Sequence, residues 1–306
     1  MSSVQTVNFT KLNQNINQEN QYIFNFPSTQ VFTSSNKVAL TQFNINNSFY
    51  NISEERNNNT IQFTWHAGNA SKTYTYVFMD GFYTYGQINN AMRNFCLLNN
   101  LYMINGNNNN KPVHYWELME NSIAYKAQMD FYLLPTIEEA NNANLLIPRF
   151  SASQILKDPT LEASFENTWT LSDTAGKTPQ FKFTSPAFGS ILGFNTGTYP
   201  QVADILSERQ YLSTFAPTLS PVSSIFLSTN LISSSFSNPS NIISNTPIDV
   251  EYGLTVKHII PDLLYLSIVP GSYNQIQINL LRNDYSPLNI LDKDVIIQLS
   301  IKTEEQ

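Results

Sequence analysis

The chain has 306 residues, of which 42% are hydrophobic, with 20 Phe, 16 Tyr and 3 Trp, ample for the core of one elaborated β-domain or two modest ones. Charged residues make up 13%, the net charge is -7 and the 16 basic residues are scattered, which argues against direct binding of nucleic acid. A mean hydropathy of -0.23 without a long apolar run excludes a transmembrane helix, and the start Met1-Ser2-Ser3-Val4-Gln5-Thr6 lacks the basic-then-apolar order of a secretory signal.

Polar neutral residues replace the missing charge, and Asn alone is roughly one residue in eight, well above ordinary usage. Residues 1–20, rich in Asn and Gln, read as a flexible arm. Tyr22, Phe24 and Phe26 then alternate, followed by Val38, Leu40, Phe43 and Ile45 with a parity slip near Thr41-Gln42 that predicts a bulge. Ile61, Phe63 and Trp65, a turn at Ala67-Gly68-Asn69-Ala70, and Tyr74, Tyr76 and Phe78 predict a hairpin over 60–79. Thr84 and Gln87 have capping-box spacing, and Ile88, Met92, Phe95 and Cys96 recur at three and four, predicting a helix over 85–98. The clearest alternation is Ile123, Tyr125, Ala127, Met129, Phe131 and Leu133, a strand over 122–134 with that set on one face.

Residues 135–178 lose the alternation and read as a loop-rich elaboration with a short helix near 152–157. Strand signals return at 181–183, 223–232, 247–257, 263–269, 274–281 and 294–302, the last with Val295, Ile297, Leu299 and Ile301 on one face. Many strands, each with one apolar face, predict an all-β fold, a sandwich or a barrel. The resulting division is an arm over 1–20, a domain over 21–302 carrying the 135–178 elaboration, and a tail over 303–306.

Catalytic signatures are absent from this pattern. His66, His114 and His258 lie far apart; His114-x-x-Glu117 places two ligands on one turn if that stretch is helical, but no further Cys or His pair completes a zinc set. The acidic pairs Glu54-Glu55, Glu138-Glu139, Glu304-Glu305 and Asp292-x-Asp294 read as solvated charge or turn chemistry. Gly271-Ser272-Tyr273 lacks the glycine spacing of a nucleophile elbow, and no glycine loop cradles phosphate. Cys96, the one cysteine, reads as a buried inert thiol. Tyr74 and Tyr76 at strand spacing read as core or interface ahead of a sugar-stacking platform. No catalytic, cofactor-binding or metal-ligating residue is assigned, and no cofactor or enzyme activity is expected.

The order of motifs from about 21 to 302 resembles the penton (vertex) capsid proteins of virophages and of Polinton- or Maverick-type viruses. The stretches that carry the resemblance are Asp80-Gly81-Phe82-Tyr83-Thr84 before the helix, Pro186-Ala187-Phe188-Gly189-Ser190-Ile191-Leu192-Gly193-Phe194 followed by Gly197-Thr198-Tyr199-Pro200, and Pro221–Ile232 with the closing runs Ile276–Leu281, Asp284–Leu288 and Val295–Ile301. The 1–20 arm and the 135–178 segment lie outside it. The resemblance implies a single jelly roll that forms homopentamers at icosahedral fivefold vertices and contacts a double-jelly-roll major capsid protein. It places the chain in the virion capsid, made and assembled inside the infected host cell, with no nucleic-acid or membrane partner. Two other readings stay open: a fibre, receptor-binding or minor shell protein, which would favour trimers, and a carbohydrate-binding or hydrolytic β-sandwich, which would show exposed aromatics in a cleft.

Overall fold

The alternating stretches near the start form β1 (Val4–Phe9), β2 (Gln14–Asn15), β3 (Gln18–Phe32) and β4 (Asn36–Asn46). Next come β5 (Thr60–Ala67), β6 (Ala70–Val77), α1 (Tyr85–Leu98), β7 (Met103–Asn105), β8 (Lys111–Val113), β9 (Trp116–Asn121) and β10 (Lys126–Phe131). The middle continues with α2 (Ile137–Asn142), β11 (Leu145–Leu146), α3 (Ala152–Lys157), α4 (Phe165–Thr168), β12 (Gln180–Phe183), α5 (Pro186–Leu192), β13 (Gly197–Tyr199) and β14 (Arg209–Leu212). The last strands are β15 (Ser224–Thr229), β16 (Ile242–Pro247), β17 (Thr255–Ile259), β18 (Leu266–Ser267), β19 (Gly271–Leu281) and β20 (Ile296–Thr303). These assignments come from a computed structural model that describes residues 3–220, 222–235 and 237–303.

The chain divides into two units: Met1–Phe49 with Ser220–Gln306, and Tyr50–Leu219, which is an insert in sequence between β4 and β15. In the first unit, two antiparallel sheets have the orders β1-β20-β4-β17 and β16-β15-β19-β3-β2. With β2 and β18 set aside, the strands counted one to eight along the chain read 1-8-3-6 and 2-7-4-5, the order of a jelly roll. The two sheets share one core. Phe9, Leu40, Phe43, Ile45, Ile297 and Leu299 enter it from one sheet, and Tyr22, Ile225, Leu227, Ile276, Ile278 and Leu280 from the other. The predicted bulge is present: Gln298 pairs with Gln42 but Leu299 with Leu40, so Thr41 is the extra residue, and its hydroxyl donates to Gln298 O at 3.0 Å.

The insert has three antiparallel sheets, β13-β12-β5-β6, β14-β10-β9 and β11-β7-β8, around its own core. Phe63, Trp116 and Phe181 meet there with ring centroids 4.7 to 6.4 Å apart. Helix α1 has the predicted bounds because its start is local: Thr84 Oγ1 accepts from Gln87 N at 3.3 Å and Gln87 Oε1 accepts from Thr84 N at 2.8 Å. Its buried stripe is Ile88, Met92 and Cys96.

Several expectations change. Residues 4–9 are not part of an arm but an edge strand registered on β20 from Val4↔Lys302 to Phe9↔Ile297, because Val7 and Phe9 enter the core. The roll does not run unbroken over 21–302; the inserted unit is Tyr50–Leu219, and the segment 135–178 is one part of it, carrying α2, α3 and α4. The strand expected over 122–134 begins only at Lys126. Ile123, fully exposed, and Tyr125, at φ 51°, belong to the β9–β10 turn, while Ala127, Met129 and Phe131 are buried. The strand expected over 247–257 is two, β16 ending at Pro247 and β17 beginning at Thr255. Of the expected tail, Thr303 closes β20, and 304–306 lie outside the described residues.

Candidate functional site

The histidines are built into separate places. His66 on β5 shares a hydrogen bond with Gln180 Oε1 at 2.8 Å, and Gln180 Nε2 donates to Pro200 O at 2.7 Å. Burial holds His66 below its ordinary pKa, aided by the Lys177 charge and opposed by the Gln180 bond. His114 sits on extended chain between β8 and β9, not on a helical turn, so His114 and Glu117 do not form a helical ligand pair. Its Nδ1 is buried and has no hydrogen-bond partner among the described residues; burial, with the nearby Arg93 charge, lowers its pKa to about 4. Glu117 instead pairs with Arg93 at 3.1 Å. His258 lies on β17 of the other unit, opposite Phe43. Among the described residues, no three His, Cys, Asp or Glu side chains group as a metal site.

The remaining candidates follow the same pattern. Cys96 is fully buried, and burial pushes its thiol up to about 12. Asp292 accepts from Asp294 N at 3.0 Å and from Asn46 Nδ2 at 2.6 Å, a turn arrangement that holds its carboxyl below the usual range. Gly271-Ser272-Tyr273 is the start of β19. One depression of about 490 Å³ in the insert brings two carboxylates, Glu139 and Glu208, near Tyr115 and Leu134. Glu139 is committed there to capping α2, accepting from Thr136 N at 2.8 Å and from its hydroxyl at 3.0 Å. Those bonds lower its pKa, the opposite of what a general acid needs.

Two polar arrangements that sequence reasoning missed organise the insert. Asn51 is fully buried: Nδ2 donates to Tyr83 O at 2.8 Å and Leu219 O at 3.0 Å, and Oδ1 accepts from Tyr83 N at 2.8 Å. It therefore ties the insert's first residues to its last. Glu166 on α4 is 8% exposed and accepts from Lys72 Nζ at 2.6 Å and Tyr74 OH at 2.9 Å, anchoring α4 to β6. Burial pushes Glu166 up, but the hydrogen bonds from Lys72, the Glu166 backbone N–H and Tyr74, with the Lys72 charge, outweigh it and hold the carboxyl below its ordinary value. Tyr74 and Tyr76 pack on Phe95 of α1 with centroids 5.6 and 5.3 Å away, so they serve the core rather than an open stacking platform. A sequence signal for the anchor does exist, Lys72 and Tyr74 on one face of an edge strand, but nothing local points from there to Glu166.

These groups position elements. What the chain offers to the outside is sheet edges, loop tips such as Ile123 and Tyr125, and depressions such as the 520 Å³ one in the first unit, lined by Leu12, Asn44, Thr255 and Ile296 and edged by the Lys11–Asp294 ion pair at 3.2 Å.

No family model matches the sequence, and no curated protein matches it. Among solved structures, the mavirus penton protein crystal structure is similar, with 12% identity over 99% of this chain and 98% of that one and a TM-score of 0.42. The Sputnik virophage structure determined by cryo-EM is also similar, with 11% identity over 98% of this chain and 97% of that one and a TM-score of 0.39.

Proposed function

We propose that this chain is a structural virion protein of the penton type. Five copies would close a ring at each icosahedral fivefold vertex and contact a double-jelly-roll major capsid protein, after synthesis and assembly inside the host cell. In this reading it works by docking, without turnover of a substrate. The observation that carries the reading is the strand order of the first unit, a complete jelly roll whose two sheets close on one apolar core. Such a unit is stiff, and its surface is poor in charge, so heterologous edge contacts around a ring require few ions to be desolvated. The 1-8-3-6 sheet has polar outward positions, Asn44, Gln298 and Lys302, facing away from the core.

The test is electron microscopy of the purified chain with and without a candidate major shell protein. The expected result is fivefold rings, alone or on shell vertices. Monomers in the presence of the shell protein would refute the reading, and trimers would favour the fibre alternative.

A further inference from the structure

The edge at the end of the β13-β12-β5-β6 sheet is unusual within this protein. β6 runs eight residues in unbroken register with β5, from Thr60↔Val77 to Ala67↔Ala70. Phe78 N donates to Asn59 O at 2.7 Å, which continues the same alternation. By that parity the backbone groups of Ala70, Lys72, Tyr74 and Tyr76 face β5, and those of Ser71, Thr73, Thr75 and Val77 face away. Among the described residues no other strand pairs with that side. The four outward residues are exposed, Val77 by 58%.

Exposed edges are normally blunted by brevity, charge, proline or a bulge. Most other edges here carry such a device: β2 and β11 are two residues long, β13 is three, β14 is four, β8 holds Pro112, β16 has a register shift and Pro247, β17 holds Lys257, and β9 holds Glu120. β1 lacks one but is shorter, with six residues. The single charge on β6, Lys72, is committed to Glu166 at 2.6 Å. The edge is thus long, free of any bulge and neutral.

We propose that this edge pairs antiparallel with β6 of a second copy of this chain. The strand is self-complementary in one register. A twofold axis at Tyr74 sets Ser71 opposite Val77 and Thr73 opposite Thr75, so every outward residue of each copy meets an outward residue of the other. That register forms about eight inter-strand hydrogen bonds, two for each bonded pair. It also sets Tyr74 opposite Tyr74 and Lys72 opposite Tyr76, with no like charges facing. Slipping by two residues leaves outward groups unpaired, so length pins the register. A twofold contact cannot belong to a closed fivefold ring. The pairing therefore goes beyond the penton reading and would join one copy, or one ring, to another.

The experiment is sedimentation of the full chain over a concentration series beside Thr75→Pro. The Thr75 N–H faces away from β5, so proline there removes edge pairing and spares the hairpin. The wild type is expected at twice the mass of T75P, with matching circular dichroism and melting. If rings form, the pair is double ring and single ring; if none form, it is dimer and monomer. The ratio tests this proposal, and the base mass tests the penton reading. A second variant, T73K/T75K, sets lysine against lysine and is expected to match T75P. S71C/V77C treated with a short bismaleimide, which spans the wider separation of a bonded pair, is expected to give a cross-linked dimer in denaturing electrophoresis. Equal masses for wild type and T75P, or no cross-linked dimer, would overturn the pairing.

Discussion

Asn51→Ala is the sharpest test of how the insert is closed. Asn51 makes three hydrogen bonds, to Tyr83 O, Tyr83 N and Leu219 O, from a fully buried position. Each such bond contributes about 1 kcal/mol net, and alanine leaves all three backbone partners without it, so the loss is about 3 kcal/mol. For a unit the size of 50–219, about 2–4 °C per kcal/mol applies, so its melting transition should fall by roughly 10 °C. Asn51→Asp adds a discriminating arm. It keeps the acceptor for Tyr83 N but turns a carboxylate oxygen toward two carbonyl oxygens. Burial and that arrangement favour the protonated acid, so the folded-state pKa of the introduced carboxyl should rise above its unfolded value of about 3.9.

The sign follows from linkage. An acid with a raised folded pKa has its full stability below the unfolded pKa and loses it as pH rises through the folded one. The gap between N51D and N51A should therefore widen against N51D from pH 4 to pH 8. Calorimetry or circular dichroism melting at several pH values, taken as N51D minus N51A, cancels the other titrating groups. A loss under about 0.5 kcal/mol for N51A, or a pH-independent difference, would refute the idea that this side chain closes the insert.

Glu166→Gln should cost about 1 kcal/mol, discounted because the Lys72 side chain is 45% exposed. Because the Glu166 carboxyl is held low, its contribution is present above pH 4.5 and lost as pH falls through the folded value; E166Q should flatten that acid limb in a pH–melting series. Phe43→Ala and Phe63→Ala, both fully buried but in different units, should each cost about 3–5 kcal/mol, and calorimetry should assign the loss to a different transition in each case. Cys96 should resist alkylation at pH 8 in the native chain and react once denaturant is added, as mass spectrometry would record.

What could be read from the sequence was whatever is decided locally. The Thr84–Gln87 box sits beside the helix it caps, so α1 was legible to the residue. The slip at Thr41 was legible because a parity change is visible within one strand. β1 was not, since only Val7 and Phe9 point inward and their partner β20 lies at the other end of the chain. Ile123 and Tyr125 continue the parity of Ala127 and Met129, yet the chain is already turning there; the positive φ at Tyr125 is set by hairpin geometry, not by its apolar side chain. The Glu166 anchor was illegible for a related reason: Lys72 and Glu166 are brought together by α4 folding onto β6.

Alternation reports which face of a strand is buried and says nothing about its partner, so the same rhythm serves a roll and an insert with separate cores. The place of the insert has a physical rationale. β4 and β15 belong to different sheets of the roll, so the chain must cross between sheets there in any case. An unstructured segment as long as 50–219 would cost about 3 kcal/mol more in closure entropy than a six-residue loop. A folded segment whose ends are held together does not bear that cost, because it behaves as a short connection. Asn51 bonded to the Leu219 carbonyl at 3.0 Å is that closure, within two residues of one boundary and at the other. A few hydrogen bonds at the ends of the insert thus explain how the roll's long-range pairings survive so large an interruption, although no motif in the sequence announces it.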